Sequence, residues 1–198
     1  DFIRTGIYDK RREFVKTISP SMDILISSNL ERLLFELSDR DCEKVSDWMK
    51  QLNEKGYYKV DANVLKKIQE NFWAGWSNQD ETLKTIQCIY NDNNYVSDTH
   101  TAVGIDVYDK YVITTGDLTP TVAASTASPF KFNYSVCRAL FEKDELDNKT
   151  EFELLDLLSK KTGWPIPKGL KGLNEKEILH TDVCEKNNMK ALVEDILL

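Results

Sequence analysis

The sequence predicts a helix-rich α/β protein with few parallel strands, and three observations carry that reading. Apolar residues recur at helical spacing through most of the chain. Only two short apolar runs, Met22–Ile26 and Pro120–Ser125, have the form of buried strands. Each of these runs leads directly into a helix start signal, which is the strand-turn-helix unit from which α/β proteins are built. With 198 residues, 41% of them hydrophobic and 30% charged, the chain is long enough to bury a core and is neither low-complexity nor disordered in composition.

Segment 1–38 reads as strand, turn and helix. After Met22–Ile26, Leu30, Leu33, Leu34 and Leu37 form one helical stripe, and Ser28 with Glu31 has the spacing of a capping box. Segment 39–95 changes to three successive amphipathic helices. The first carries Val45, Trp48, Met49 and Leu52 and stops at Gly56; the second starts after Asp61 with Val64, Leu65, Ile68 and Phe72; the third follows Ser77 with Leu83, Ile86 and Ile89. Phe72, Trp73 and Trp76 read as core packing at this spacing, with a ligand or partner surface as the alternative. In segment 96–145, Asp98 is the expected N-cap of a helix that opens with small residues, and Ser128-Pro129 caps another after the second strand. Segment 146–198 is a helical tail: Thr150 and Glu153 form a capping box, Pro165 to Gly172 is a rigid loop, and Met189–Ile196 is a last short helix.

Composition excludes several function classes. Lys+Arg 26 against Asp+Glu 33 gives a net charge of −7, which removes the attraction that nonspecific nucleic-acid or anionic-membrane binding uses. No apolar run approaches the roughly 20 residues a transmembrane helix needs. Cys42, Cys88, Cys137 and Cys184 lie 46, 49 and 47 residues apart, and the histidines are His100 and His180 alone, so neither a zinc site nor a compact disulfide scaffold is expected. Reduced thiols of a cytoplasmic protein are the expectation. The opening Asp1-Phe2-Ile3-Arg4 has no methionine and no leader pattern, as though the chain were entered mid-sequence. Two parallel strands make no stable sheet alone, so further strands are expected from outside these residues.

Three segments together resemble a known family: Ile18 to Leu37 (ISPSMDILISSNLERLLFEL), Asp98 to Gly104 (DTHTAVG) and Ala124 to Phe132 (ASTASPFKF). In order and spacing they resemble the C-terminal half of threonine synthase, and Asp1 to Gly6 with Tyr8-Asp9 resembles the middle of those chains. The resemblance implies a tryptophan synthase β-like fold and pyridoxal phosphate (PLP) as cofactor. It implies conversion of O-phospho-L-homoserine and water to L-threonine and phosphate, with segments 1–38 and 96–145 in the large PLP domain and 39–95 as a helical insertion.

Such an enzyme needs a Schiff-base lysine, a glycine-rich phosphate loop and a group at the pyridine nitrogen. By family pattern the first two precede residue 1. The eight glycines make no such loop, and Lys131 lies in the wrong half of the chain. The missing N-terminal half is therefore the implied partner, this chain alone is expected to be inactive, and no catalytic residue or metal ligand is assigned in it. The residues alone leave Thr126 as the start of the turn before Ser128 or as a contact at a strand end, where ligands meet open α/β sheets. The resemblance implies that its hydroxyl meets the pyridine nitrogen. Asp98 and His100 are implied beside the cofactor ring, with helix capping as the plain reading of both. Ser21, Asp23 and Asn29 are candidates for binding the anionic substrate. Two alternatives stay open: a threonine-synthase-like phospho-lyase, and a non-enzymatic helical interaction module built on Trp48, Phe72, Trp73 and Trp76.

Overall fold

The apolar stripes of the first third of the chain close on one another in the computed structural model, which describes residues 1–198. Helix α1 (Phe2–Thr5) stops at Gly6 and turns into strand β1 (Ile7–Asp9). Gly6 has φ 70°, and a Cβ there would stand 3.1 Å from Val60 Cγ2, so both the conformation and the packing favour glycine. A 3-10 turn at Pro20–Met22 precedes α2 (Leu30–Leu37), α3 (Cys42–Lys55), β2 (Tyr57–Lys59) and α4 (Ala62–Asn71). Asp41 and Asp61 cap α3 and α4 by accepting from the backbone N–H groups of Lys44 and Val64.

Between α2 and α3 two successive non-glycine residues, Asp39 (φ 61°) and Arg40 (φ 62°), adopt the left-handed conformation. Each is tied by its charge: Asp39 to Lys67 at 2.8 Å and Arg40 to Glu36 at 3.1 Å. The core holds Leu34, Trp48, Leu52, Val64 and Ile68 around Tyr58, which is 1% exposed. The Tyr58 ring stacks on Tyr8 at 5.4 Å and on Trp48 at 6.3 Å. Burial pushes the Tyr58 phenol up.

The next helices are α5 (Gln79–Asn93), α6 (Thr99–Thr115), α7 (Asn133–Leu140), α8 (Lys143–Leu146) and α9 (Glu151–Thr162). Helix α5 packs on α6 and α7, and α7 on α9, burying Ile86, Ala102, Val136, Cys137, Leu154 and Leu158. Capping boxes close the starts of α5 (Asn78, Glu81), α8 (Glu142, Glu145) and α9 (Thr150, Glu153). Between α6 and α7 the chain runs extended. At about 3.3 Å per residue the stretch from Asp117 to Ser125 can reach at most about 26 Å, enough to return past the about 21 Å between Thr115 and Thr101 on α6.

The chain divides into two compact units, Asp1–Pro165 and Ile166–Leu198. The second has a turn in which Leu170 N–H donates to Pro167 O at 2.9 Å, followed by α10 (Met189–Leu197), none of whose residues is buried.

The helix-rich character and most of the expected helix starts are as the sequence predicts, but the strands are not where the apolar runs lie. The paired strands are β1 and β2, and they are antiparallel, with Tyr8 opposite Tyr58. Met22–Ile26 and Pro120–Ser125 have the strand pattern without a ladder partner; Ile24 and Ile26 are exposed and Val122 is 95% exposed. The expected capping box at Ser28 and Glu31 is absent. The N-cap of α2 is Asn29 in a helical conformation, with no side-chain cap. Phe72, Trp73 and Trp76 do not pack as core: they lie on an extended stretch after α4, and Trp76 is 74% exposed.

Candidate functional site

Helix α6 begins with a cap that uses its carboxylate completely. Asp98 is fully buried, and its Oδ1 accepts from the backbone N–H groups of His100 (2.9 Å) and Thr101 (3.2 Å). Its Oδ2 accepts the hydroxyl proton of Thr101 in a short hydrogen bond. Three donors from its own helix therefore hold the charge that burial would otherwise penalise. A helix N-terminus filled in this way has two of its free N–H groups taken by its own cap.

Thr101 reaches across to the returning segment, its hydroxyl oxygen 3.2 Å from Ser125 Oγ. Ser125 Oγ also accepts from the Tyr95 hydroxyl at 3.2 Å, and the Tyr95 ring meets Trp164 edge-on at 5.5 Å. The returning segment is anchored at its other end too. Asp117 accepts from the Tyr111 hydroxyl at 2.6 Å and from the Thr119 hydroxyl and backbone N–H at 2.6 and 2.9 Å. These bonds, that of the Thr119 hydroxyl first, hold the Asp117 carboxyl at about 2.

Thr126 follows Ser125 and is exposed. Ser128 beyond it accepts from Phe130 N–H at 3.3 Å, as its expected capping role requires. His100 lies half-buried with its ring edge-on to Phe132, centroids 4.6 Å apart. Both His100 ring nitrogens, Ser97 Oγ and Thr99 Oγ1 are shielded from solvent without a hydrogen-bond partner. Four unmet polar atoms on three of four successive residues are a local concentration that a folded chain seldom leaves.

Of the residues singled out from sequence, Asp98 and His100 are brought together at the start of α6, and Thr126 adjoins them through Ser125 and Thr101. Ser21, Asp23 and Asn29 stand apart in the chain beside β1 and α2. Ser21 is exposed in the 3-10 turn. Asp23 accepts from the Thr17 backbone N–H at 2.7 Å and hydroxyl at 2.8 Å, and Asn29 accepts from Arg32 at 2.7 Å. Sequence reasoning missed Thr101, Ser125 and Tyr95. The spacing of Asp98 and Thr101 carries a signal for the first, while the contacts of Ser125 and Tyr95 need the return of the chain.

Residues 101–196 match the family model for the C-terminal part of threonine synthase. Threonine synthase of Saccharomyces cerevisiae is 34% identical over 81% of this chain and 35% of its own length. The whole chain aligns with 26% of human threonine synthase-like 1 at 33% identity. The chain belongs to the threonine synthase family. Its fold matches a crystal structure of yeast threonine synthase with TM-score 0.76, 28% identity and coverage of 99% of this chain and 39% of that one. A PLP-bound threonine synthase from Brucella melitensis matches with TM-score 0.60 and 36% identity, covering 70% of this chain and 29% of the other. The chain thus spans about a quarter to two fifths of the family members it matches here.

Proposed function

We propose that this chain is the C-terminal portion of a threonine synthase that converts O-phospho-L-homoserine and water to L-threonine and phosphate with pyridoxal phosphate. The observation that carries the reading is the junction of the Asp98 cap with the Ser125–Thr126 corner, in a fold that follows yeast threonine synthase over 99% of the chain. The residues fit the cofactor: an exposed threonine hydroxyl follows Ser125, which meets the helix start where Ser97, Thr99 and His100 have unpartnered polar atoms. When bound, pyridoxal phosphate supplies an electron sink for carbanions at the substrate carbons.

This chain's residues form one wall of the site. Thr126 meets the pyridine nitrogen with a neutral hydroxyl, which does not hold that nitrogen protonated as a carboxylate would. His100 offers an unpartnered ring nitrogen to the ring edge or the substrate phosphate. Asp98 acts from behind them, as a cap rather than a direct contact. Ser21 remains free to bind substrate; Asp23 and Asn29 contribute through the turns they already hold. Lys131 lies over the Phe132 ring at 5.7 Å and is a surface lysine.

Segments 1–38 and 96–145 belong to the large cofactor domain, with 39–95 inserted and 146–198 a tail. The N-terminal portion brings the Schiff-base lysine and phosphate loop and docks on the unpaired segments 22–26 and 118–125, so this chain alone is inactive. The compartment is the cytoplasm. The test is the visible absorption of pyridoxal phosphate added to this chain and to the full-length protein. A protein-bound spectrum in the long chain, absent here and altered by Thr126→Val, is expected; a protein-bound spectrum in this chain alone overturns the division of labour. A phospho-lyase on the same scaffold is the second reading. Release of phosphate with ammonia and a keto acid, rather than threonine, decides for it.

A further inference from the structure

The hydroxyls between Tyr95 and Asp98 can be arranged in one direction only. Thr101 has a single hydroxyl proton, and the Asp98 carboxylate takes it. The hydrogen bond across the 3.2 Å to Ser125 therefore uses the Ser125 proton, and the Ser125 oxygen accepts from the Tyr95 phenol at 3.2 Å. Every proton in this row points toward a buried carboxylate, and each bond polarises the next. Asp98 is fully buried, Thr101 is 8% exposed, and Ser125 and Tyr95 are at the surface. The row thus runs from the interior start of α6 to the surface segment that carries Thr126.

We propose that the row Tyr95–Ser125–Thr101–Asp98 is a positioning device: it clamps the Ser125–Thr126 peptide to the first turn of α6 and sets where the Thr126 hydroxyl stands. Thr101 and Ser125 are its positioning residues, and neither is asked to touch the cofactor. Within this chain residues 121–126 are exposed and make no strand ladder, and the anchors on either side are Asp117, eight residues before Ser125, and the buried Pro129 and Phe130, four and five residues after it. The proposal rests on the reading that Thr126 meets the pyridine nitrogen, so its test separates the clamp from that contact.

The experiment uses the full-length protein with Thr101→Val, which keeps the side-chain shape, Thr101→Ser, which keeps the hydroxyl, and Thr126→Val. Hydrogen–deuterium exchange of the 124–127 amides is measured without cofactor, and the affinity and pH-dependent visible absorption of pyridoxal phosphate are measured with it. Thr101→Val is expected to speed exchange at 124–127 about five- to tenfold, in keeping with the loss of the one neutral hydrogen bond to Ser125. It should also weaken cofactor binding and shift the absorption titration in the direction that Thr126→Val does, with Thr101→Ser restoring both. Unchanged exchange in Thr101→Val overturns the clamp. Faster exchange with unaltered absorption in Thr101→Val, while Thr126→Val shifts it, shows a clamp that positions nothing and overturns the proposal. Faster exchange with unaltered absorption in both valine variants locates the failure in the Thr126 reading, and the proposal falls with it.

Discussion

The core around Tyr58 and the start of α6 are both buried, yet they are built on opposite principles. Around Tyr58 the interior is aromatic and aliphatic, and its geometry comes from stacked rings and interlocking helix stripes. At the start of α6 three successive residues, Ser97, Asp98 and Thr99, are fully buried and polar, and only Asp98 has its side-chain bonds made within the chain. The first region is finished by its own sequence; the second carries unmet polar atoms at a cost that a purely structural helix start has no reason to bear. Buried polarity without partners distinguishes a working surface from a structural core.

Replacing Trp48, 4% exposed, by alanine empties the centre of the apolar core and is expected to cost about 3–5 kcal/mol in urea unfolding. Equal loss of amide protection in α6 would break the contrast by showing that the two regions, which share one compact unit, unfold together. Asp98→Ala removes a cap and a buried acceptor with three donors, and about 2–3 kcal/mol is expected, measured the same way. A loss below that would mean water replaces the carboxylate and the region is wetter than its burial implies.

Acid sharpens the contrast further. The Asp61 carboxyl is held below its ordinary 3.8, chiefly by the Val64 backbone N–H and then by Lys44. Its contribution to stability is therefore present above the ordinary carboxylate range and lost as pH falls through the lower folded value. Stability measured from pH 6 downward is expected to decline in that window, and less so in Asp61→Asn. Asp117 is expected to titrate at about 2 in carboxyl NMR and to move toward 3.8 in Thr119→Val. The smallest effect is kinetic: burial pushes the Cys137 thiol up to about 12, so a thiol reagent at neutral pH should label exposed Cys42 and Cys88 and reach Cys137 only on unfolding.

Helices whose caps and stripes coincide were legible in the sequence. Asp61, Asp98, Ser128 and Thr150 all cap as their positions predict, and Gly56 ends α3 in the left-handed conformation. The strands were not legible, because a strand is defined by its partner. Met22–Ile26 and Pro120–Ser125 have the composition of buried strands but no neighbour in this chain, while β1 and β2 pair over three residues each, too short for an alternating pattern. Ser28 has the spacing of a cap, yet the chain enters α2 already helical at Asn29, so its hydroxyl has no turn to close. Within the site, Asp98 was readable as a local cap, whereas its link to Ser125 spans a separation that no local pattern encodes.

The extended return between Asp117 and Ser128 also makes the protein a reporter of its own assembly. The segment offers Leu118 and Val122, 79% and 95% exposed, to proteases that cut after aliphatic residues, and it contains no lysine or arginine for trypsin. Elastase is therefore expected to cut within this segment while trypsin passes it over, and cleavage there is expected to slow if another strand pairs with it. Elastase digestion followed at this segment thus tests whether the proposed N-terminal portion pairs here, without reference to cofactor or turnover.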